Sequence, residues 1–590
     1  MKFSTRIVSC ALLFAFFTAC QPPLNREDFI TYCEKSDYTR TPRYDETVAY
    51  CKLLAAHSSR VHYTTIGKSP QGRDIPLLIV DRDGYTTAAK VRGSGRAVIL
   101  AEACIHAGEP DGKDAGLAFI RDLALFDEFP GLLDSVTLLF IPILNVDGHE
   151  DFGEHYRINQ NGPEEVGARA TAQHYNLNRD FVKADAPETR AFLTLYRKWM
   201  PEVFIDFHVT NGSDFQYVST YGLDFCGFLP PGMFEWNRHV FEKELTGRLE
   251  KEGFPIFPYF YPVRGFDKKE AIASNFPPQY SSGYAAANNR IGLLVENHIY
   301  KPYKQRIAIS YAYLRNVMGI VAGCKTGLQA EIDKADRFAS SAGFRQDSLT
   351  LSYRVDLDHP EQVPFLGWEE RVVKSDLSGG EWRYFDYSAP ITMEYSLFRS
   401  FLPEKKIKLP EAYIIPSEQT ETIALLDLHG IAYSRLEKET EMAVESYFFT
   451  ASTWSKSPTE GRITLDAEYV AVRETLSYQA GDVWLLTSQP KVQLIAHLLE
   501  PKSPTSLVYW GFYNNFIKAP NEFWISLPYM EVKGRELLAK DPALKAEFEA
   551  KKASDPAFAN DPTAILNFFM AKVRASVERG SNRYPVGRVL

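Results

Sequence analysis

The stretch Ala97-Val98-Ile99-Leu100-Ala101-Glu102-Ala103-Cys104-Ile105-His106-Ala107-Gly108-Glu109 decides the fold expected for this chain. Its first part is an almost unbroken apolar run of the length and composition of a strand buried on both faces. An imidazole and a carboxylate, three residues apart, follow directly. Three other runs have the same form: Val136 to Leu144 leads into Asn145-Val146-Asp147-Gly148, Val203 to Phe207 into His208, and Ile291 to Val295 into Glu296. Amphipathic stretches separate them between about Tyr44 and Lys334, and strands alternating with helices predict an α/β domain. Ligands of open α/β sheets bind beyond the carboxyl ends of strands, so these four ends are expected to meet in one crevice.

His106 and Glu109 are close enough to share one cation, but the HxxE pattern recurs at His239/Glu242 and His497/Glu500. Position separates the copies, since only the first follows a buried strand and is flanked by Gly108, Pro110 and Gly112. Catalytic zinc commonly takes two His and one Glu and leaves a fourth position open, which makes His208 the natural third ligand. Asp206 or neighbouring backbone is available for the outer ring N–H of a ligand. Glu296 is placed to move a proton, first from water and then to a leaving amine. Hydrolysis of an acyl bond also needs groups that hold negative charge, and Arg157 and Arg179 are the candidates.

Taken in order, Ile66-Gly67-Lys68-Ser69 with Gly72-Arg73, His106-x-x-Glu109, Asn145-x-Asp147-Gly148, Tyr156-Arg157-x-Asn159, Asn176-Leu177-Asn178-Arg179, a strand ending in His208 and a strand ending in Glu296 resemble the zinc carboxypeptidase family over about residues 44 to 315. The resemblance implies a mixed eight-stranded sheet sandwiched by helices and one Zn2+ on His106, Glu109 and His208. It further implies Glu296 as general base and acid, Arg157 polarising the scissile carbonyl, and Asn178 and Arg179 holding the terminal carboxylate of a peptide substrate. Two departures stand out. Asn176 replaces the Asp that usually orients the first zinc histidine, and the tyrosine that caps the substrate is either Tyr280 or Tyr284.

At 590 residues the chain exceeds one hydrophobic core, and with 45% hydrophobic and 24% charged residues it is globular in composition. A net charge of −9 gives no basic stripe for phosphates and argues against a nucleic-acid partner. Lys2 and Arg6, the apolar stretch Val8 to Phe17 and Phe17-Thr18-Ala19-Cys20 resemble a bacterial lipoprotein signal. Export, lipidation at Cys20 and attachment to a membrane of the cell envelope, on its periplasmic or outer face, are therefore expected. After Cys10 and Cys20, five cysteines remain, of which Cys33 and Cys51 are the candidate bridge. The domains expected are a signal (1–20), a linker (21–43), a catalytic domain (44–340) and, past Ser340-Ser341-Ala342-Gly343, a β-rich α+β C-terminal domain (346–590). The leading function is a zinc metallocarboxypeptidase. Alternatives are a cell-wall peptide or amide hydrolase on the same fold, or an inactive peptide- or glycan-binding protein, for which the six tryptophans of the C-terminal half would supply a surface.

Overall fold

A computed structural model describes residues 24–212, 214–263, 269–517, 525–577 and 582–590. The expected signal segment and Cys20 lie outside the described residues. Eight strands, β1 (Val61–Lys68), β2 (Asp74–Val80), β3 (Ala97–Glu102), β4 (Val136–Ile141), β5 (Val203–Val209), β6 (Ser219–Gly222), β7 (Ile256–Pro258) and β8 (Ile291–Asn297), form one mixed sheet in the order β1-β2-β4-β3-β5-β8-β6-β7. The central four, β4, β3, β5 and β8, run parallel, while β1/β2, β2/β4 and β8/β6 are antiparallel.

The uninterrupted apolar composition of the central strands follows from cover on both faces. On one face Ile99, Ala101, Phe140 and Ile205 share a core with Leu54 of α1 (Tyr44–His57), with Leu117 and Phe119 of α2 (Asp111–Ala124) and with Ile309 and Val317 of the helix Tyr303–Ala339. On the other, Val98, Leu100, Leu139 and Phe204 pack with Phe192 and Tyr196 of α3 (Pro187–Trp199) and with Tyr284 of α4 (Ser281–Ala287). Gly112, three residues past Glu109, lets α2 lie directly on β5, because a Cβ there would fall 2.4 Å from Phe207 Cβ.

Two expectations on organisation are corrected. Residues 24–43 are not a free linker. They fold against α2, with Arg121 Nη1 donating to Glu34 Oε2 at 2.6 Å and Lys113 Nζ donating to Thr41 Oγ1 and the Pro42 carbonyl at 2.7 Å each. Cys33 and Cys51 are both buried free thiols, in different apolar clusters.

The β-rich C-terminal region is present, but it is built into the first half rather than appended to it. The strand Glu381–Phe398, hairpin partner of Glu361–Lys374, runs parallel to Glu270–Ala273, which in turn pairs with Phe260–Pro262, so one four-stranded sheet draws on both halves. A six-stranded sheet that includes Ala412–Ile415 and Val483–Leu486 places Tyr413, Ile415 and Leu485 in the same core as Phe192, Tyr196 and Tyr284. The small, polar break at 340–343 divides the sequence without dividing the core.

Candidate active site

β3 stops at Glu102, and Cys104 takes φ +54°, which turns the chain out of the sheet into the loop that carries His106 and Glu109 to the start of α2. His208 is the last but one residue of β5. All three side chains are buried. His106 Nδ1 lies 3.3 Å from Glu109 Oε2, His208 Nδ1 lies 3.0 Å from the same oxygen, and the two Nδ1 atoms lie 3.1 Å apart. The outer nitrogens are engaged elsewhere: His106 Nε2–H donates to Asn176 Oδ1 at 3.0 Å, and His208 Nε2–H donates to Asp206 Oδ2 at 2.6 Å. With their protons held on the outside, both imidazoles turn lone pairs towards each other and towards a carboxylate oxygen. Three such donors repel one another unless a cation lies between them, and two imidazoles with one carboxylate are a donor set that suits zinc.

Glu109 is fixed from its other side. Oε1 accepts from Arg157 Nη1 at 2.8 Å, and Oε2 accepts from the Val209 backbone N–H at 3.0 Å. Nη2 and Nε of Arg157 are also used within the protein, Nη2 by the Val209 and Thr210 carbonyls and Nε by Gln160 Oε1. Gly108 makes room for it, since a Cβ there would fall 2.8 Å from Arg157 Cδ. Arg157, for which the resemblance implies polarisation of a carbonyl, holds Glu109 and does not line the cavity beside the His/Glu cluster. Arg169 does, with a half-exposed side chain whose Nη1 also reaches Glu109 Oε1, at 3.3 Å. It is carried there by the two-residue ribbon Phe152–Gly153/Val166–Gly167, which no motif in the sequence marks.

The cavity, of about 120 Å³, is lined by His106, Glu109 and His208 together with Arg179, Tyr280 and Glu296. Glu296 stands beside His208, its register partner on the neighbouring parallel strand. Burial lifts its carboxyl to about 7, and the neighbouring Glu109 carboxylate adds to the rise. Burial likewise draws the His106 imidazole down to about 4. The Arg179 guanidinium lies 4.3 Å over the Tyr280 ring. Asn178 also lines the cavity, accepting at Oδ1 from the Ser281 N–H at 2.9 Å and donating from Nδ2 to Asp206 Oδ2 at 3.3 Å.

Of the two candidate capping tyrosines, only Tyr280 is at the cavity. Tyr284 is buried in the core between the sheet and the C-terminal region, where its hydroxyl donates to His429 Nδ1 at 3.0 Å. The first turn of α4 points it at the C-terminal region, so it is corrected to a packing residue. Tyr259, Tyr261 and Phe276 also line the cavity without a signal in the sequence, because no motif or long apolar run in 256–276 singles them out.

Residues 47–220 match the family model described as zinc carboxypeptidase. The chain carries a zinc carboxypeptidase domain. The match stops short of β8, and the sheet brings Glu296 into that domain by pairing β8 with β5. The carboxypeptidase 2 of Trichophyton tonsurans is 23% identical over 501 residues, 81% of this chain and 85% of that protein. The Trichophyton rubrum carboxypeptidase 2 is 24% identical over 490 residues, with the same coverage. A likeness over 81% of the chain necessarily runs past the zinc carboxypeptidase domain into the C-terminal region. Among solved structures, a metallo-carboxypeptidase from Burkholderia cenocepacia has 15% identity and a TM-score of 0.35 over 48% of this chain and 70% of that one. The carboxypeptidase A of Helicoverpa armigera has 16% identity and a TM-score of 0.36 over 52% and 80%. The zinc carboxypeptidase domain makes the protein a metallopeptidase.

Proposed function

We propose that the protein removes C-terminal residues from peptides that end in a free carboxylate, with one zinc per chain held by His106 Nδ1, Glu109 and His208 Nδ1 and with Glu296 as general base and acid. The observation that carries this reading is that one small cavity has the His/Glu cluster, a carboxyl beside it and two guanidinium groups, Arg169 and Arg179, on its walls. A zinc ion held by that set supplies a Lewis acid and lowers the pKa of a water within its reach.

Glu296 takes the proton of the attacking water and returns it to the departing amine, and burial, which raises its carboxyl, suits a group that must both accept and give up a proton. Arg169 faces the developing negative charge on the carbonyl oxygen. Arg157 acts one step back by holding Glu109 in place. The Arg179 guanidinium, stacked on Tyr280, meets the substrate's carboxylate, while Asn178 ties the Asp206 carboxylate to the start of α4.

The test uses peptide pairs identical except for a free or an amidated C-terminus. Release of single residues from the free acid alone is the expected result. Equal cleavage of both, or cleavage at internal bonds, would contradict exopeptidase action.

A further inference from the structure

Behind the His/Glu cluster lies a carboxyl with no hydrogen-bonding partner. Glu102, the last residue of β3, is fully buried, and neither of its carboxyl oxygens has a hydrogen-bond partner. Its register partner on β5 is Asp206, so the two side chains leave adjacent parallel strands on the same face. Asp206 is used unevenly. Oδ2 accepts from His208 Nε2 at 2.6 Å, from Ser281 Oγ at 2.5 Å and from Asn178 Nδ2 at 3.3 Å, whereas Oδ1 is buried and accepts from nothing.

A bare carboxylate in such a place is strongly disfavoured, and two side by side more so. A carboxylic acid beside a carboxylate resolves both problems, because one brings a donor and the other has a vacant acceptor. Burial, and after it the Asp206 charge, hold the Glu102 carboxyl well above the usual range.

We propose that Glu102 is a positioning residue that stays protonated and donates its proton to Asp206 Oδ1, fixing that carboxylate so that Oδ2 remains on His208 and His208 Nδ1 stays aimed at the cation site. The proposal rests on the reading of His106, Glu109 and His208 as the zinc-binding set. Glu102 touches neither substrate nor metal. It acts through Asp206, as outer partners of metal-bound histidines do.

Zinc affinity, by competition against a chelator, and thermal stability without metal are measured for the native protein, Glu102→Gln and Glu102→Met. The amide of Glu102→Gln still donates to Oδ1 and keeps zinc affinity within about 2-fold of native, whereas Glu102→Met has no donor and binds zinc about 10–100-fold more weakly. A purely structural role would lower the melting temperature of Glu102→Met and leave the zinc affinity of the folded protein unchanged, which overturns the proposal. Glu102→Gln as weak as Glu102→Met overturns it too, since charge rather than a donor would then be needed. A native protein that binds no zinc removes the metal-set reading and the proposal with it.

Should Glu102→Met not fold, the infrared difference spectrum between native protein and Glu102→Gln at pH 8 decides. Loss of a protonated-carboxyl band is expected, and loss of a carboxylate band instead contradicts the proposal.

Discussion

Glu296 and His208 occupy the same register on the adjacent parallel strands β8 and β5. The spacing between the proposed proton carrier and one proposed metal ligand is therefore set by backbone pairing and not by a loop, the arrangement in which a catalytic geometry is held most tightly. Asp206 and Glu102 continue the pattern one strand on, since they too are register partners. His106, Glu109 and Arg169, by contrast, come from loops, and each is held by hydrogen bonds to side chains or backbone around it.

The two arginines near Glu109 differ in what they hold. Arg157 is almost enclosed and pairs with a carboxylate that is itself buried, so Arg157→Ala is expected to cost about 3 kcal/mol of stability and to weaken metal binding. Arg169 is half exposed, so Arg169→Ala is expected to stay within about 0.5 kcal/mol of native stability while kcat falls on the order of 100-fold. Denaturation curves and steady-state kinetics on the two variants check this. A stable, metal-replete and slow Arg157→Ala beside an unimpaired Arg169→Ala would reverse the assignment.

Tyr280 and Tyr284 separate in the same way. Removing the Tyr284 hydroxyl as Tyr284→Phe deletes one buried hydrogen bond to His429 and is expected to cost about 1 kcal/mol with KM unchanged. Tyr280→Ala takes away the ring on which Arg179 lies, and is expected to raise KM for substrates with a free carboxylate. A KM effect from Tyr284→Phe would count against its place in the packing.

The seam between the two halves is expected to weaken in acid. His429 is buried and neutral, with Nε2–H donating to the Val182 carbonyl at 3.0 Å and Nδ1 accepting from Tyr284, and burial draws its pKa to about 4. Because the folded value lies below the usual 6.5, the unfolded chain takes up the proton first, and this contribution to stability is lost as pH falls from 6.5 towards 4. Between pH 7 and pH 5 the loss from this one histidine is about 2 kcal/mol. Urea unfolding of native protein and His429→Gln at both pH values tests it: the variant is expected to be less stable at pH 7 but to lose about 2 kcal/mol less on acidification. Parallel losses in the two proteins would show that His429 is not the sensor.

Much of the site was legible because it sits on strands. The runs ending in His208 and Glu296 announce both their burial and their ends, and a parallel sheet leaves few places for those ends to go. Side-chain direction was less legible. The sequence motif around Arg157 gives no sign that four of its five donors are used within the protein, nor that Arg169, next to a two-residue ribbon, takes the exposed position. Tyr280 and Tyr284 are one helical turn apart, and only the start of α4 at Ser281 decides which of them faces the cavity. The domain boundary misled for a related reason: residues 340–343 look like a linker locally, while the contacts that bind the halves, such as Glu270–Ala273 with Glu381–Phe398 and Tyr284 with His429, are distant in sequence.

The most direct test of the proposed chemistry is Glu296→Gln, with zinc content and single-residue release from a peptide with a free C-terminus measured on the same sample. The amide keeps the shape of the side chain and gives up its proton-accepting charge. The expected result is one zinc per chain, as in native protein, with release slowed on the order of 100- to 10,000-fold. A variant that keeps its zinc and turns over at the native rate would show that Glu296 is not the proton carrier and would contradict the mechanism at its centre.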